Sequence, residues 1–208
     1  MIKKFFIYLK SDGVLDTLKY FLKTICYVFY RKSTTDFYLL DGNCNDLNTS
    51  KDDFEIKRFE SWDEVRHIDF PRLHLLTCKD WLENGCILYV GYYNKIPVSY
   101  SWTHFNKYQL HALGAFILGN DECWIGPTFV HKKYRGKGFN KATIYNQIKS
   151  SNYHKFYTSV NHNNIASNKS FLRLGFIYIG AVILQKGTFM KKHYDIIGNT
   201  LKDKIHSI

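Results

Sequence analysis

Between Phe54 and Gln185 the sequence switches repeatedly between two hydrophobic periods, and this alternation limits the fold more than any other feature. Phe54–Phe59 reads as a strand, and Ser61-Trp62-Asp63-Glu64 reads as a helix start with an acid three residues after the cap. Leu73–Glu83 continues at helical spacing until Asn84-Gly85 stops it. Cys86–Tyr93 and Ile96–Phe105 are β-rich runs joined by the short turn Asn94-Lys95. Leu110–Leu118 and Cys123–Val130 are two further apolar runs. Residues 139–151 return to the helical period through Ala142, Ile144, Tyr145 and Ile148. Lys155–Val160 is a strand, Ile165–Leu174 a helix closed by Gly175, and Phe176–Gln185 a long last strand. Paired strands followed by strand–helix–strand–helix–strand predict an α/β (α+β) fold, a central mixed sheet with helices on both faces.

Upstream the pattern differs. Val14, Leu15, Leu18, Phe21, Leu22, Ile25, Val28 and Phe29 recur by threes and fours, which predicts an amphipathic helix of about 16 residues. Residues 33–53 are polar and turn-rich and read as a connector. The expected division is therefore a basic helical arm with connector over 1–50 and the main domain over 51–208. Residues 1–35 hold seven Lys and Arg against only Asp12 and Asp16. Two readings of the arm stay open: a helix packed on its own domain, or one lying on an anionic membrane.

The whole chain has 29 Lys and Arg against 18 Asp and Glu, a net charge of +11. That surplus points to an anionic partner. Nucleic acid is not expected, because no RNP-like, helix-turn-helix or zinc pattern accompanies the charge. The five cysteines form no CxxC pair and no zinc-ligand spacing, so reduced thiols and no metal are expected. Without a signal-like leader or an 18-residue apolar run, the expected location is the cytoplasm, peripheral to the inner membrane face if the arm binds there. A chain of 208 residues with 45% hydrophobic content can build a core without staples, and disorder is excluded as its main state.

The chemically informative segment runs from Trp124 to Asn140. A strand enters a loop holding Arg135, Gly136, Lys137 and Gly138, and a helix follows at once. Glycines let successive backbone N–H groups converge, and the helix N-terminus adds unpaired donors and partial positive charge. Such a loop suits a pyrophosphate; taken alone it equally suits a solvated turn. It has neither the GxxxxGK[ST] spacing of a P-loop nor the GxGxxG of a dinucleotide fingerprint. Gly126-Pro127 within the preceding strand predicts either a bulge or an edge-strand kink.

Arg135-x-x-Gly138-x-Asn140 resembles the (Arg/Gln)-x-x-Gly-x-(Gly/Ala) signature of the GNAT superfamily of acyl-CoA N-acyltransferases, with Asn140 where a small residue is usual. Asn161-His162-Asn163-Asn164-Ile165-Ala166-Ser167, then Phe171 and Leu174-Gly175-Phe176, is similar to the family's second conserved segment. The hairpin Leu88–Trp102 resembles its second and third strands. The resemblance covers about residues 54–196. It implies strands Cys123–Val130 and Lys155–Val160 splayed apart around the pantetheine arm of acetyl-CoA. The backbone at Phe129 and Val130 would meet that arm, and Arg135, Gly136, Lys137, Gly138, Phe139 and Asn140 the pyrophosphate. Asn164, Ser167 and Phe171 would border the cofactor from the second segment.

The reaction so implied is attack of a neutral amine on an acetyl thioester, with a base, oxyanion donors and a protonated or tolerated thiolate. Strict alternation places Trp124, Gly126, Thr128 and Val130 on one face, and none of these is a base. Glu122 and His111 are the nearest titratable candidates, and Thr128 could relay through a water. Where many family members carry a Tyr acid this chain has Phe171; a thiol with a pKa of about 8.5 can leave unaided. The expected function is N-acetylation of a small-molecule amine, with a nucleotide-linked amino sugar of bacterial surface polysaccharide assembly as the suggested acceptor. The alternative is a catalytically silent module of the same fold that binds acyl-CoA or docks at a membrane.

Overall fold

The computed structural model describes residues 14, 15, 18, 30–45, 53–73, 76–110, 113–187 and 190–206. The helix expected from Val14 onward lies outside these residues, apart from Val14, Leu15 and Leu18, which are helical and exposed. Among the described residues from 30 onward, strands β1 (Tyr30–Asp41), β2 (Phe54–Phe59), β3 (Ile87–Tyr93), β4 (Ile96–His104), β5 (Lys107–Gln109), β6 (Ala115–Ile117), β7 (Glu122–Val130), β8 (Lys155–Asn161), β9 (Ile177–Gly187), β10 (Met190–Ile197) and β11 (Ile205–His206) are accompanied by five helices. These are α1 (Trp62–Val65), α2 (Leu76–Glu83), α3 (Phe139–Lys149), α4 (Ile165–Arg173) and α5 (Asn199–Lys204). Eight strands make one mixed sheet in the order β10-β9-β1-β8-β7-β4-β3-β2, and β11-β6-β5 form a small second sheet. Every neighbouring pair in the large sheet is antiparallel except β7 and β8. Among the described residues no helix is long and apolar enough to cross a membrane.

Most elements lie where the sequence periods put them. Asn94 and Lys95, with φ of 49° and 63°, make the tight turn between β3 and β4. Ser61 caps α1 with Glu64 in a reciprocal box, though the helix is only four residues long. The connector expected over 33–53 is different: residues 30–41 form a twelve-residue strand between β8 and β9. Its polar Ser33-Thr34-Thr35 masks a run, Phe37–Leu40, whose two faces are both covered by apolar clusters. Phe37, Tyr38 and Leu40 are each under 5% exposed, and a strand buried on two sides shows no alternation. The apolar run Leu110–Leu118 yields only the three-residue β6.

Three apolar clusters cover the large sheet. Ile144 and Ile148 of α3 and Phe171 of α4 pack on Tyr38, Ile125 and Phe156. Phe70, Leu73 and Leu82, around α1 and α2, cover Leu88, Val90, Tyr100, Trp102 and Phe129. Phe116, Leu201 and Ile205 cover Phe37, Trp124, Tyr157 and Val182.

The seating of α3 on β4 is unusual in being polar. Ser99 Oγ lies 2.8 Å from Thr143 Oγ1, and Ser101 Oγ donates to Gln147 Oε1 at 2.6 Å. Gln147 Nε2 donates to Thr103 Oγ1 at 2.6 Å and to the Trp102 carbonyl at 3.0 Å. All five polar side chains are at most 4% exposed. A buried network with every member satisfied tolerates one register, so it fixes where α3 begins.

Candidate acyl-CoA site

Strands β7 and β8 pair only through Glu122↔Lys155, Cys123↔Phe156 and Trp124↔Tyr157. β7 then runs on to Val130 and β8 to Asn161 without further pairing between them. Just past the last pair, Thr158 Oγ1 donates to the Ile125 carbonyl at 2.8 Å, closing the joint with a side chain instead of a ladder bond. On its other side β7 stays on β4, where the His131 N–H donates to the Val98 carbonyl at 2.9 Å. In an antiparallel ladder successive residues face opposite edges. The N–H groups of Thr128 and Val130 therefore face the gap, and that of Phe129 faces β4. Of the two backbone donors expected there, that of Val130 faces the gap and that of Phe129 faces β4.

The strict alternation expected along β7 also fails. Ser101 pairs with Thr128 but Thr103 with Ile125, so β7 carries one extra residue at Gly126-Pro127. That is the bulge alternative, and a bulge reverses the faces beyond it. Trp124 and Phe129 share one face, whereas Ile125, Thr128 and Val130 share the face under α3. Gly126 adopts φ 124°, where L side chains are strained.

The loop between β7 and α3 opens at the end of this gap. A 3₁₀ turn, Lys132–Tyr134, leads to Arg135, whose Nε donates to the Val130 carbonyl at 3.2 Å. That bond brings the guanidinium to the mouth of the gap. Gly136 and Gly138 follow at φ 78° and 80°. Gly138 caps α3 without a side-chain bond, and the first helical bond runs from the Ala142 N–H to the Gly138 carbonyl at 3.1 Å. The amides of Phe139, Asn140 and Lys141 thus head the helix with no intrahelical acceptor. Phe139 is the anchor beneath them, 2% exposed, its ring 4.9 Å from Phe54 and 5.2 Å from Tyr93. Asn140 Oδ1 is buried with no hydrogen-bond partner. Lys137 lies over the Tyr134 ring at 5.6 Å. Exposed glycines, two cations and the first amides of a helix at one place fit the diphosphate of a coenzyme A thioester, and the edge of β7 that does not pair with β8 fits its amide-bearing arm.

The second expected segment is divided. Asn164 is the N-cap of α4, its side chain accepting from the Ser167 N–H at 3.3 Å. Phe171 is 2% exposed, stacks on Phe176 and Tyr38, and belongs to the cluster that also holds Ile125 of β7 and Val160 of β8. Glu122 stands at the paired end of β7. Its carboxylate meets Lys204 Nζ, the Gly119 N–H at 2.8 Å and the Tyr157 hydroxyl at 3.3 Å. Burial pushes the carboxyl up, but Lys204, Gly119 and Tyr157 outweigh it and hold the pKa below the ordinary value. Such a carboxylate is a counter-ion more than a base. Thr128 is half-buried beyond the bulge, and His111 lies outside the described residues. The titratable group the sequence reading passed over is His104. It is 4% exposed at the end of β4 and opposite Trp124. Its only sequence signal is its place at the end of a β run.

No family model matches the sequence, and no curated protein matches it. Solved structures do match. An acetyltransferase from the GNAT family of Colwellia psychrerythraea aligns at 14% identity over 79% of this chain and 60% of its own, TM-score 0.50. A GCN5-related N-acetyltransferase-like protein of Streptococcus suis 89/1591 aligns at 12% over 86% and 68%, TM-score 0.50. A protein assigned to the same family, from Novosphingobium aromaticivorans DSM 12444, aligns at 11% over 74% and 63%, TM-score 0.51. This chain thus spans less than two thirds of the Colwellia and Novosphingobium chains. The likeness is one of fold.

Proposed function

We propose that this chain, which has the GNAT fold, is an acyl-CoA-dependent N-acyltransferase that moves an acetyl group to the amine of a small molecule. The observation that carries this reading is the separation of β7 from β8 after Trp124, next to a glycine-and-cation loop that opens α3. A thioester lying in that gap meets the N–H groups of Thr128 and Val130, with its diphosphate against the amides of α3. The +11 charge favours anionic substrates, so a nucleotide-linked amino sugar is the acceptor class we favour.

The test is acetyl-CoA binding by calorimetry, with thiol release across an amine panel that includes nucleotide-linked amino sugars. Turnover on any amine supports the enzyme. Phe171, which offers no phenol where the resembling family carries a Tyr acid, favours the second reading, a binding module. Tight acetyl-CoA binding with no turnover on any amine would establish that module instead. The basic arm is a separate proposal: removing residues 1–29 weakens binding to phosphatidylserine vesicles while thiol release is unchanged. Equal vesicle binding by both chains refutes it.

A further inference from the structure

Arg72 breaks a local rule in the turn between α1 and α2. The Leu73 N–H donates to the Phe70 carbonyl at 3.3 Å, so Phe70-Pro71-Arg72-Leu73 is a four-residue turn with proline in its second place. Arg72 stands third, at φ 73°. Such a turn gives its third place to glycine or asparagine, because a Cβ is strained there. The strain is held from both sides. Phe70 and Leu73 are at most 1% exposed, and the Arg72 carbonyl accepts from Cys78 Sγ at 3.5 Å. Enforced strain on a bulky residue clusters at ligand clamps and active sites.

What the strained turn aims is a guanidinium at the end of β7. The Arg72 Cζ lies 4.6 Å from the centre of the Phe129 ring, and the Arg135 Cζ lies 5.7 Å from that same ring. Phe129 is itself fixed, 7% exposed, with Tyr100 stacked at 5.7 Å and Phe70 edge-on at 5.9 Å. Two planar cations, one from the α1–α2 turn and one from the glycine loop, therefore share one aromatic platform. A guanidinium fork matches two oxygens of a phosphate or carboxylate at once.

The platform lies on the face of the sheet away from α3. That face is covered in two pieces: Phe70, Leu73 and Leu82 over Phe129 and Tyr100, and Phe116, Leu201 and Ile205 over Trp124 and Tyr157. The seam follows β7, which gives Phe129 to one piece and Trp124 to the other, beside its edge that does not pair with β8. A thioester in the gap has its diphosphate at the head of α3, so the seam is left for the amine.

Building on the acyl-transfer reading, we propose that Arg72, with Arg135 beside it, binds a phosphate or carboxylate of the acceptor and so selects amines that carry an anion. Arg72 meets the acceptor away from the reacting atoms and holds it while the amine enters the gap. The coenzyme's own phosphates are the other source of the same oxyanion.

Calorimetry on protein saturated with coenzyme A separates the two sources, because the coenzyme's phosphates are then already in place. The probes are glucosamine 1-phosphate and glucosamine, one amine with and without an anion, at about 0.15 M salt. Wild-type protein is expected to bind the phosphate at least about tenfold more tightly. Arg72→Met keeps an apolar stem on Phe129; it is expected to bring the two probes within about twofold and to leave acetyl-CoA affinity within about twofold of wild type. Arg72→Gly relieves the strained φ and is expected to lose the same preference while melting no lower than Arg72→Met. A smaller wild-type preference overturns the proposal and leaves the acyl-transfer reading standing. So does a preference that survives both substitutions, or an acetyl-CoA affinity that falls as far as that for the phosphate, which would give Arg72 to the coenzyme. Wild-type protein that does not bind acetyl-CoA overturns the acyl-transfer reading and this proposal with it. The wild-type comparison stands even if neither substituted chain folds.

Discussion

Gly138 shows how much of the site rests on single residues. Its φ of 80° and ψ of 6° are left-handed, and a β-branched residue there is strained by about 1–2 kcal/mol. Gly138→Val is expected to abolish measurable acetyl-CoA binding by calorimetry while the circular dichroism spectrum stays native; unchanged affinity would refute the cradle. Glu122 makes a different prediction. Its pKa is depressed in the folded state, so the carboxylate adds stability above the unfolded pKa, near 4.5, and loses it as pH falls through the folded value. Lys204→Met should therefore cost about 1–3 kcal/mol near neutral pH and much less in acid, measured by urea unfolding at both. An equal loss at both pH values would mean packing, not charge, holds Lys204. The glycines and cations of the cradle were legible in the sequence because backbone conformation and charge are local properties. His104 was not, because the burial that singles it out comes from Trp81, Cys86 and Tyr108, as many as 23 positions away in the chain.

At the scale of elements, two of the departures from expectation have one origin. β1 and the β7 bulge are both set by neighbours: β1 by β8 and β9 at its edges and by apolar clusters on both its faces, and the bulge by its pairing with β4. A residue pattern reports how many faces are wet, not how many strands stand alongside. Phe37 is 1% exposed, and Phe37→Ala is expected to cost about 3–5 kcal/mol in denaturant unfolding. A loss under 1 kcal/mol would mean that β1 is not an integral strand. Gly180 marks another close approach, where β9 passes the end of β10. A Cβ on Gly180 would meet the Ile197 carbonyl oxygen, so Gly180→Ala should separate these strands and lower the melting temperature. A melting temperature equal to wild type would refute that packing. The α3 helix, by contrast, was legible from its period, yet the serine, threonine and glutamine contacts that seat it were not.

For the molecule as a whole, the surplus of positive charge should be visible in binding. Acetyl-CoA is expected to raise the melting temperature by mass action, and the rise should shrink as salt screens the phosphates. A rise independent of salt would place the affinity in the pantetheine gap and not in the basic loop. The insertion of β1 has a further consequence, in the order of synthesis. Asp36 bonds to His162 across 126 positions, and its β9 partner is further on still. On a translating ribosome Phe37–Leu40 must wait on the order of 10 s for strands that do not yet exist. Over that interval the earliest part of the sheet to be made is a sticky, unshielded segment, and a holdase that shelters it should raise the yield of native protein.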